Sequence, residues 1–462
     1  MSGDHLSLAA DNSVARQAAK KASAAAAEAT HHDMAEAWLD GLAKGSHRPV
    51  FIGGAFYVPM DDALWQEKSI EQAQVEVAKM FNGRKLCKRN SDYKQIADHA
   101  SAMVEDPKFF ADAPVGVTTP EGFHTIGTNN RCQVVQLTLS HRQQFRLSCA
   151  PDYEAEPVLM NQLLEDAFEG DFCEEQVDLV YQLAGAILFG ILPTLQLVAA
   201  LIGREGSGKS TFQRVMQAAF PPSVVCAVSP SVWAREYNVA SMAGKRLNVV
   251  GELADDAPIP SAAFKNVTGG NLIEGRHPTH RPFYFTCQAS HLFAGNLTPP
   301  TTDRTDAFFR RWRVVRFSNR VPAGRADLKL VEKIIAGEMP AFLAHAFRGA
   351  ERAAEIGTVR TTLAHEAVMS KWKAAANPVL QFLLDAEWVE LDHAAVVVRT
   401  REAYATYRKW ASEVGMRNPF GRNHFLELID STGASIGVGR RKPHGGQEFV
   451  GGLRLIERGL NE

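Results

Sequence analysis

The chain has 462 residues, 45% of them hydrophobic and 22% charged, with a formal net charge of −2. This length accommodates about two to four domains of ordinary globular composition, and the near-neutral balance argues against a uniformly basic nucleic-acid binder, so any DNA contact must rest on locally concentrated Lys and Arg. The six cysteines (Cys87, Cys132, Cys149, Cys173, Cys226 and Cys287) include no C-x-x-C pair, which argues against a zinc ribbon or a disulfide scaffold and fits a reducing cytoplasm.

Residues 1–47 form an Ala- and Ser-rich tail, expected to be a frayed helix or disordered, and the opening lacks the basic-then-apolar pattern of a signal peptide. Residues 48–150 read as one small mixed α+β module. Within it, strands are expected at 50–52 and 55–58 around Gly53-Gly54, a helix at 70–81, and further strands at 132–139 and 144–147. A helical module follows over 151–192, with helical patterns at 158–168 and 174–190. Residues 183–202 are apolar and about long enough to span a bilayer. The expected reading is instead a buried helix, a turn at Pro193-Thr194 and a sheet strand, with no membrane contact, because a strand feeding the loop that follows belongs inside a sheet.

That loop opens the main region, 193–373. Gly203 to Thr211 read GREGSGKST, the G-x-x-x-x-G-K-[ST] phosphate-binding pattern. Gly203, Gly206 and Gly208, with Ser207 between them, let backbone N–H groups curl toward phosphates. A helix beginning near Lys209 adds its positive end. Lys209 is the candidate for the β- and γ-phosphates, and Ser210, followed by Thr211, for Mg²⁺. The expected ligand is therefore ATP with Mg²⁺. Farther along, RLNVVGE ends a second strand on Glu252, the candidate to polarise the attacking water and to share the metal, with Gly251 where an Asp is usual and Asp255 or Asp256 as alternative acids. FTCQASHLFAGN ends a third strand on Asn296, placed to position water beside the γ-phosphate. Arg310 and Arg311 then form a pair, either of which suits an arginine finger reaching a neighbouring subunit's nucleotide.

Past 373, the segment 374–462 reads as a separate domain, with a joint at 374–378, helices at 378–384 and 400–414, another starting at 425, and strands at 435–438 and 447–456 around the basic run 439–446. A strand, a basic loop and a strand after helices describe the wing of a winged-helix fold, used either on duplex DNA or on a protein.

KNVTGGNLIEGR, HPTHRPF, FAGN and FFRRWRVVRF, in this order after the phosphate loop, resemble the superfamily 3 helicases, in the phage and plasmid primase–helicase branch related to the poxvirus primase–helicase. The resemblance implies an α/β, AAA+-like motor with a parallel sheet, preceded by a mixed and helical N-terminal module and followed by a C-terminal winged-helix domain. It implies a homo-oligomeric ring, usually a hexamer, that moves 3′ to 5′ on single-stranded and forked DNA during replication of a phage, prophage or mobile element. Its channel hairpin falls at residues 276–282, where Arg276, His277, His280 and Arg281 are the expected DNA contacts, with Lys265 in the segment leading to it and Arg440, Arg441, Lys442 and His444 on the wing. Asn271 departs from the Asp most often found there, and the chain before the motor is too short for a primase, so a separate primase or polymerase is the implied partner. An ATP-switched initiator without unwinding, or a small-molecule kinase, remains an alternative.

Overall fold

The structure is a computed structural model, and it describes residues 29–456 except 169, 171–172, 255, 279–280, 302, 322–326, 417–418 and 442–447. The first element, α1 (His31–Leu42), starts on a capping box in which the Thr30 side chain accepts from the Asp33 amide while Asp33 accepts from the Thr30 amide. Part of the expected tail is therefore a packed helix, with Met34, Trp38 and Leu39 buried.

Strands β1 (Val50–Ile52), β2 (Ala55–Pro59) and β3 (Trp65–Ser69) form an antiparallel sheet, followed by α2 (Ile70–Phe81) and α3 (Asn90–Met103). A second antiparallel sheet contains β4 (Val117–Thr119), β5 (Gly122–Ile126) and β6 (Cys132–Val135). The stretch read as one module thus packs as two pieces. The first sheet closes on α1, α2 and α3, whereas Val117 joins the central core of the protein. The strand expected at 144–147 does not form. Gln143, Phe145 and Leu147 are buried with a period of two, but this segment bonds once to each sheet, Trp65 N to Gln143 O (2.8 Å) and Leu147 N to Thr118 O (2.8 Å). A segment shared between two sheets builds a ladder with neither.

Next come α4 (Val158–Phe168), α5 (Cys173–Leu188) and the short α6 (Ile191–Thr194). Gly190, at φ +71°, turns the chain between α5 and α6. Among the described residues no helix is long and apolar enough to cross a membrane. The main sheet is built from β7 (Val198–Gly203), then, after α7 (Lys209–Ala218), β8 (Val225–Cys226); α8 (Glu236–Ala240) precedes β9 (Leu247–Val250). Helix α9 (Ser261–Thr268) leads into a hairpin of β10 (Leu272–Gly275) and β11 (Phe283–Thr286), and then come β12 (Ser290–Gly295), α10 (Asp306–Phe309) and β13 (Trp312–Phe317). The five-stranded sheet runs β13-β7-β12-β9-β8, all parallel.

β7 separates two cores. Ala199 and Leu201 face one, with α5, α7 and the long helix α12 described below, while Val198, Ala200 and Ile202 face the other, with Phe264, Phe308 and Trp312. A strand buried on both faces must be apolar throughout, which is why this run lacks alternation.

Helices α11 (Leu330–Gly337), α12 (Met339–Ile356) and α13 (Leu363–Ala376) complete this part. α12 crosses α5 at glycines: a Cβ on Gly185 would fall 2.1 Å from the Ala346 carbonyl oxygen, and one on Gly349 2.1 Å from that of Tyr181. Asp178 on α5 holds Arg352 (2.6 Å) and Arg360 (2.7 Å) across the same contact.

Only Asn377 separates α13 from α14 (Pro378–Leu384), and its side chain caps α14 by accepting from the amides of Val379 (3.1 Å) and Leu380 (3.2 Å). The rest comprises β14 (Val389–Leu391), β15 (Val397–Arg399), α15 (Thr400–Glu413), α16 (Arg422–Thr432), β16 (Gly439–Arg441), β17 (Phe449–Gly451) and β18 (Leu453–Leu455). β15-β17-β16 form one antiparallel sheet and β14-β18 another, over a core including Phe382, Tyr407, Trp410, Phe425 and Val450. The strand expected at 435–438 is displaced to Gly439–Arg441, because residues 433–436 take a 3-10 turn closed by Val438 N to Gly433 O (2.8 Å). Arg304 ties this unit to the rest: it donates to Ala376 O (3.0 Å) and to His424 Nε2 (2.9 Å), and its guanidinium lies 4.2 Å over the Phe420 ring.

The helix crossing is checked with Gly349→Ala. Forcing the α5 and α12 backbones apart should cost about 1–3 kcal/mol, read as a lowered urea midpoint, whereas Gly337→Ala, where a Cβ meets open space, should change it by less than about 0.5 kcal/mol.

Candidate functional site

The site forms at the carboxyl end of the parallel sheet. β7 ends at Gly203, and α7 begins at Lys209 with Gly208 as its N-cap. Gly206 (φ +72°) and Gly208 (φ +95°) occupy left-handed backbone that disfavours other residues. A Cβ at Gly203 would fall 2.0 Å from the Phe317 carbonyl oxygen, and one at Gly208 2.8 Å from Leu163 on α4. The glycines therefore serve both the curl and close approach by β13 and α4.

The buried Lys209 ammonium donates to the loop's own carbonyls, Gly203 O (2.6 Å) and Arg204 O (2.7 Å). Burial pushes it below the usual lysine range, opposed by the nearby Glu252 and Glu205 carboxylates. Glu252 lies just past β9 and Asn296 just past β12, and the Asn296 amide donates to the Glu252 carboxylate (3.1 Å). Leu253 N bonds Ala294 O (2.7 Å), which holds the two strand ends side by side. A cavity of about 210 Å³ is lined by residues 205–211 together with Gly251, Glu252, Gly295 and Asn296. Gly206, Ser207, Gly208, Lys209, Ser210, Thr211, Glu252 and Asn296 are thus brought together, with Gly203 at the base of the loop. A hollow of about 810 Å³ lies elsewhere, between the N-terminal sheet and the β10–β11 hairpin.

Sequence reasoning missed Gln213. Its buried side chain reaches from α7 to Val250 O (3.0 Å) and Leu292 O (3.2 Å), tying the helix after the loop to the two strands that carry Glu252 and Asn296. The signal was a polar residue beside Phe212 and Val215–Met216 on a helix otherwise packed by apolar side chains.

Arg310 and Arg311 diverge. Arg310 is exposed and has no acidic partner among the described residues. Arg311 is buried and donates to the Ala307 carbonyl and to Gln196 Oε1 (3.1 Å). Of the two expected finger candidates, Arg311 has its guanidinium engaged inside its own chain and Arg310 does not. Both lie before β13, whose first residue pairs with Val198 at the start of β7. They are therefore a strand's length, about 20 Å, from the loop of the same chain.

The expected DNA contacts scatter. Lys265 is drawn inward to Asp303 (2.9 Å), which also accepts from Ser261 and Thr305. Burial alone would raise the Asp303 carboxyl, but these hydrogen bonds outweigh it and hold it down to about 2. Lys265, expected as a DNA contact, is thus paired within its own chain and fastens α9 to Asp303. Arg276 faces Glu236 (3.7 Å) and lies 6.0 Å from the Tyr237 ring centre, and His277 lies against Phe283 with ring centres 5.2 Å apart. Arg281 is exposed, and His280 lies outside the described residues. In the C-terminal unit, Arg440 sits on β16 and is paired with Asp430, Arg441 is exposed on the same strand, and Lys442 and His444 lie outside the described residues.

A family model described as a family of unknown function (DUF5906) matches residues 201–311, from β7 through Arg311. No curated protein matches the chain. Among solved structures, an apo structure of the NrS-1 C-terminal region (305–718) is similar over 91% of this chain and 98% of that one, with a TM-score of 0.51 at 12% identity. An A-form apo structure of the same region is similar over 91% and 99%, with a TM-score of 0.48 at 11% identity. This likeness concerns the fold.

Gln213→Met keeps the length but loses both donors. It should lower stability by about 1–3 kcal/mol, read as a fall in melting temperature, and Gln213→Glu should be worse, since a carboxylate would face two carbonyls.

Proposed function

We propose that the chain is an ATP-dependent DNA helicase of the superfamily 3 kind, acting as a ring in the replication of a phage, prophage or mobile element. The observation that carries this reading is the Asn296–Glu252 pair, held at the mouth of the Lys209 loop by adjacent parallel strands. A lysine, a carboxylate and an amide converging beside N–H groups at a helix start suit the terminal phosphates of ATP and an attacking water.

On ATP binding, Lys209 exchanges the Gly203 and Arg204 carbonyls for the β- and γ-phosphate oxygens, a gain for an ammonium now held by neutral acceptors. Glu252 takes up the proton side of the water, and Asn296 orients both water and carboxylate. The Ser210 hydroxyl and Glu252 carboxylate line the cavity and fit Mg²⁺, which needs few protein oxygens when phosphates and waters complete its shell. When bound, Mg²⁺ neutralises charge on the phosphates. Arg310 is too far from its own loop, so it serves the nucleotide of the next subunit, which makes a closed head-to-tail ring part of the same proposal.

Arg281, with Arg276 at the start of the loop joining β10 to β11, is the proposed strand contact. In the C-terminal unit the order β15, α15, α16, β16, β17 supports a winged-helix reading in which Arg441 meets the DNA backbone.

Wild-type protein should separate a forked duplex with ATP, and Lys209→Ala should do neither chemistry nor unwinding. ATP hydrolysis without strand separation would instead favour an ATP-switched initiator, and turnover of a small phosphoryl acceptor without DNA stimulation a kinase. Arg310→Ala should lower kcat on the order of 10³-fold while leaving ATP affinity and melting temperature near wild type, and mixing it with Lys209→Ala subunits should restore part of the ATPase rate. Arg311→Ala should chiefly lower the melting temperature.

A further inference from the structure

Unlike Arg310, Arg320 lies beside the loop of its own chain. β13 runs beside β7 on the flank opposite β12 and β9, so the segment leaving β13 passes the loop on the side away from Glu252 and Asn296. There, a Cβ on Gly206 would meet Arg320 at Nε (3.3 Å), Cγ (3.4 Å) and Cδ (3.9 Å). The Arg320 stem thus lies along the loop. Its neighbours are clamped: Asn319 donates from its backbone to Ala167 O (3.2 Å) and from its side chain to Asp166 O (3.3 Å) at the end of α4, and Val321 N donates to Gly206 O (2.9 Å). Arg320 is exposed and makes no ion pair among the described residues.

A triphosphate whose γ end meets Glu252 and Asn296 carries its nucleoside away from them. Among the described residues, Arg320 and the adjoining end of α4 lie on that other flank. A guanidinium is planar, weakly hydrated and suited to lie against an aromatic face. Two anchored residues on either side place it without recruiting it into the protein's own bonding.

We infer that Arg320 forms a nucleoside-side wall of the nucleotide site, in the same subunit as Lys209, with its guanidinium stacked on the base; this rests on the ATP reading of the loop. Arg310 and Arg320 then divide the work, the first completing hydrolysis from the neighbouring subunit and the second holding the base at home.

The test is calorimetric titration of ATP, ADP and inorganic tripolyphosphate into full-length wild type, Arg320→Ala and Arg320→Lys, with melting temperatures measured in parallel. Arg320→Ala should weaken ATP and ADP by about 5- to 30-fold and leave tripolyphosphate within about 2-fold of wild type. Arg320→Lys, which keeps the charge and loses the plane, should stay near the alanine variant. Unchanged ADP affinity in Arg320→Ala would overturn the inference, as would an equal loss for tripolyphosphate or full recovery in Arg320→Lys, since these mark a contact to phosphate. Failure of wild type to bind ATP at all, with Lys209→Ala no different, would sink the ATP reading and the inference together. Binding by wild type that Arg320→Ala retains unchanged would sink the inference alone.

Discussion

β7 has to satisfy two demands at once, and the architecture follows from them. Its side chains alternate into two separate cores, so it is sealed above and below. Its carboxyl end must then deliver the chain into a loop with Gly206 and Gly208 in left-handed backbone and the Lys209 ammonium folded beneath. A rigid strand makes a tight loop reproducible, and a reproducible loop makes a fixed array of N–H groups. Gln213 extends this discipline into α7 by bonding the carbonyls of β9 and β12, so strand ends and helix start are located by one polar side chain as well as by packing.

The electrostatics divide between groups in use and groups in waiting. Lys209 is satisfied by loop carbonyls, Lys265 by Asp303 and Arg440 by Asp430. Arg310, Arg320 and Arg441 are exposed and without acidic partners among the described residues. These three lie at the edge before β13, beside the loop, and on the C-terminal sheet, where their charge is solvated.

Local signals made much of this legible in the residues. The loop pattern and the acid and amide closing two apolar runs marked elements that the structure brings to one cavity, and Ile70–Phe81 forms as its apolar spacing predicts, behind a Ser69–Gln72 capping box. What escaped depended on distant partners. Two adjacent arginines look alike in a sequence, but after the single turn of α10 Arg310 is exposed while Arg311 is buried and bonds Ala307 O and Gln196 Oε1. Lys265 reads as a free cation until Asp303 is folded against it. The period-two burial at 143–147 was a fair strand signal, defeated because its hydrogen bonds go to two sheets. Arg320 was indistinguishable from its basic neighbours until Gly206 came to lie under it.

Asp303 and Arg304 are consecutive, yet they hold different parts of the molecule. Asp303 grips α9, the helix that leads into the β10–β11 hairpin, and Arg304 grips the end of α13, Phe420 and His424 of the C-terminal unit. α10, which carries the chain to Arg310, starts two residues later at Asp306, behind its N-cap Thr305. The contacts to the hairpin's lead-in helix and to the C-terminal unit therefore spring from two adjacent residues of one short segment.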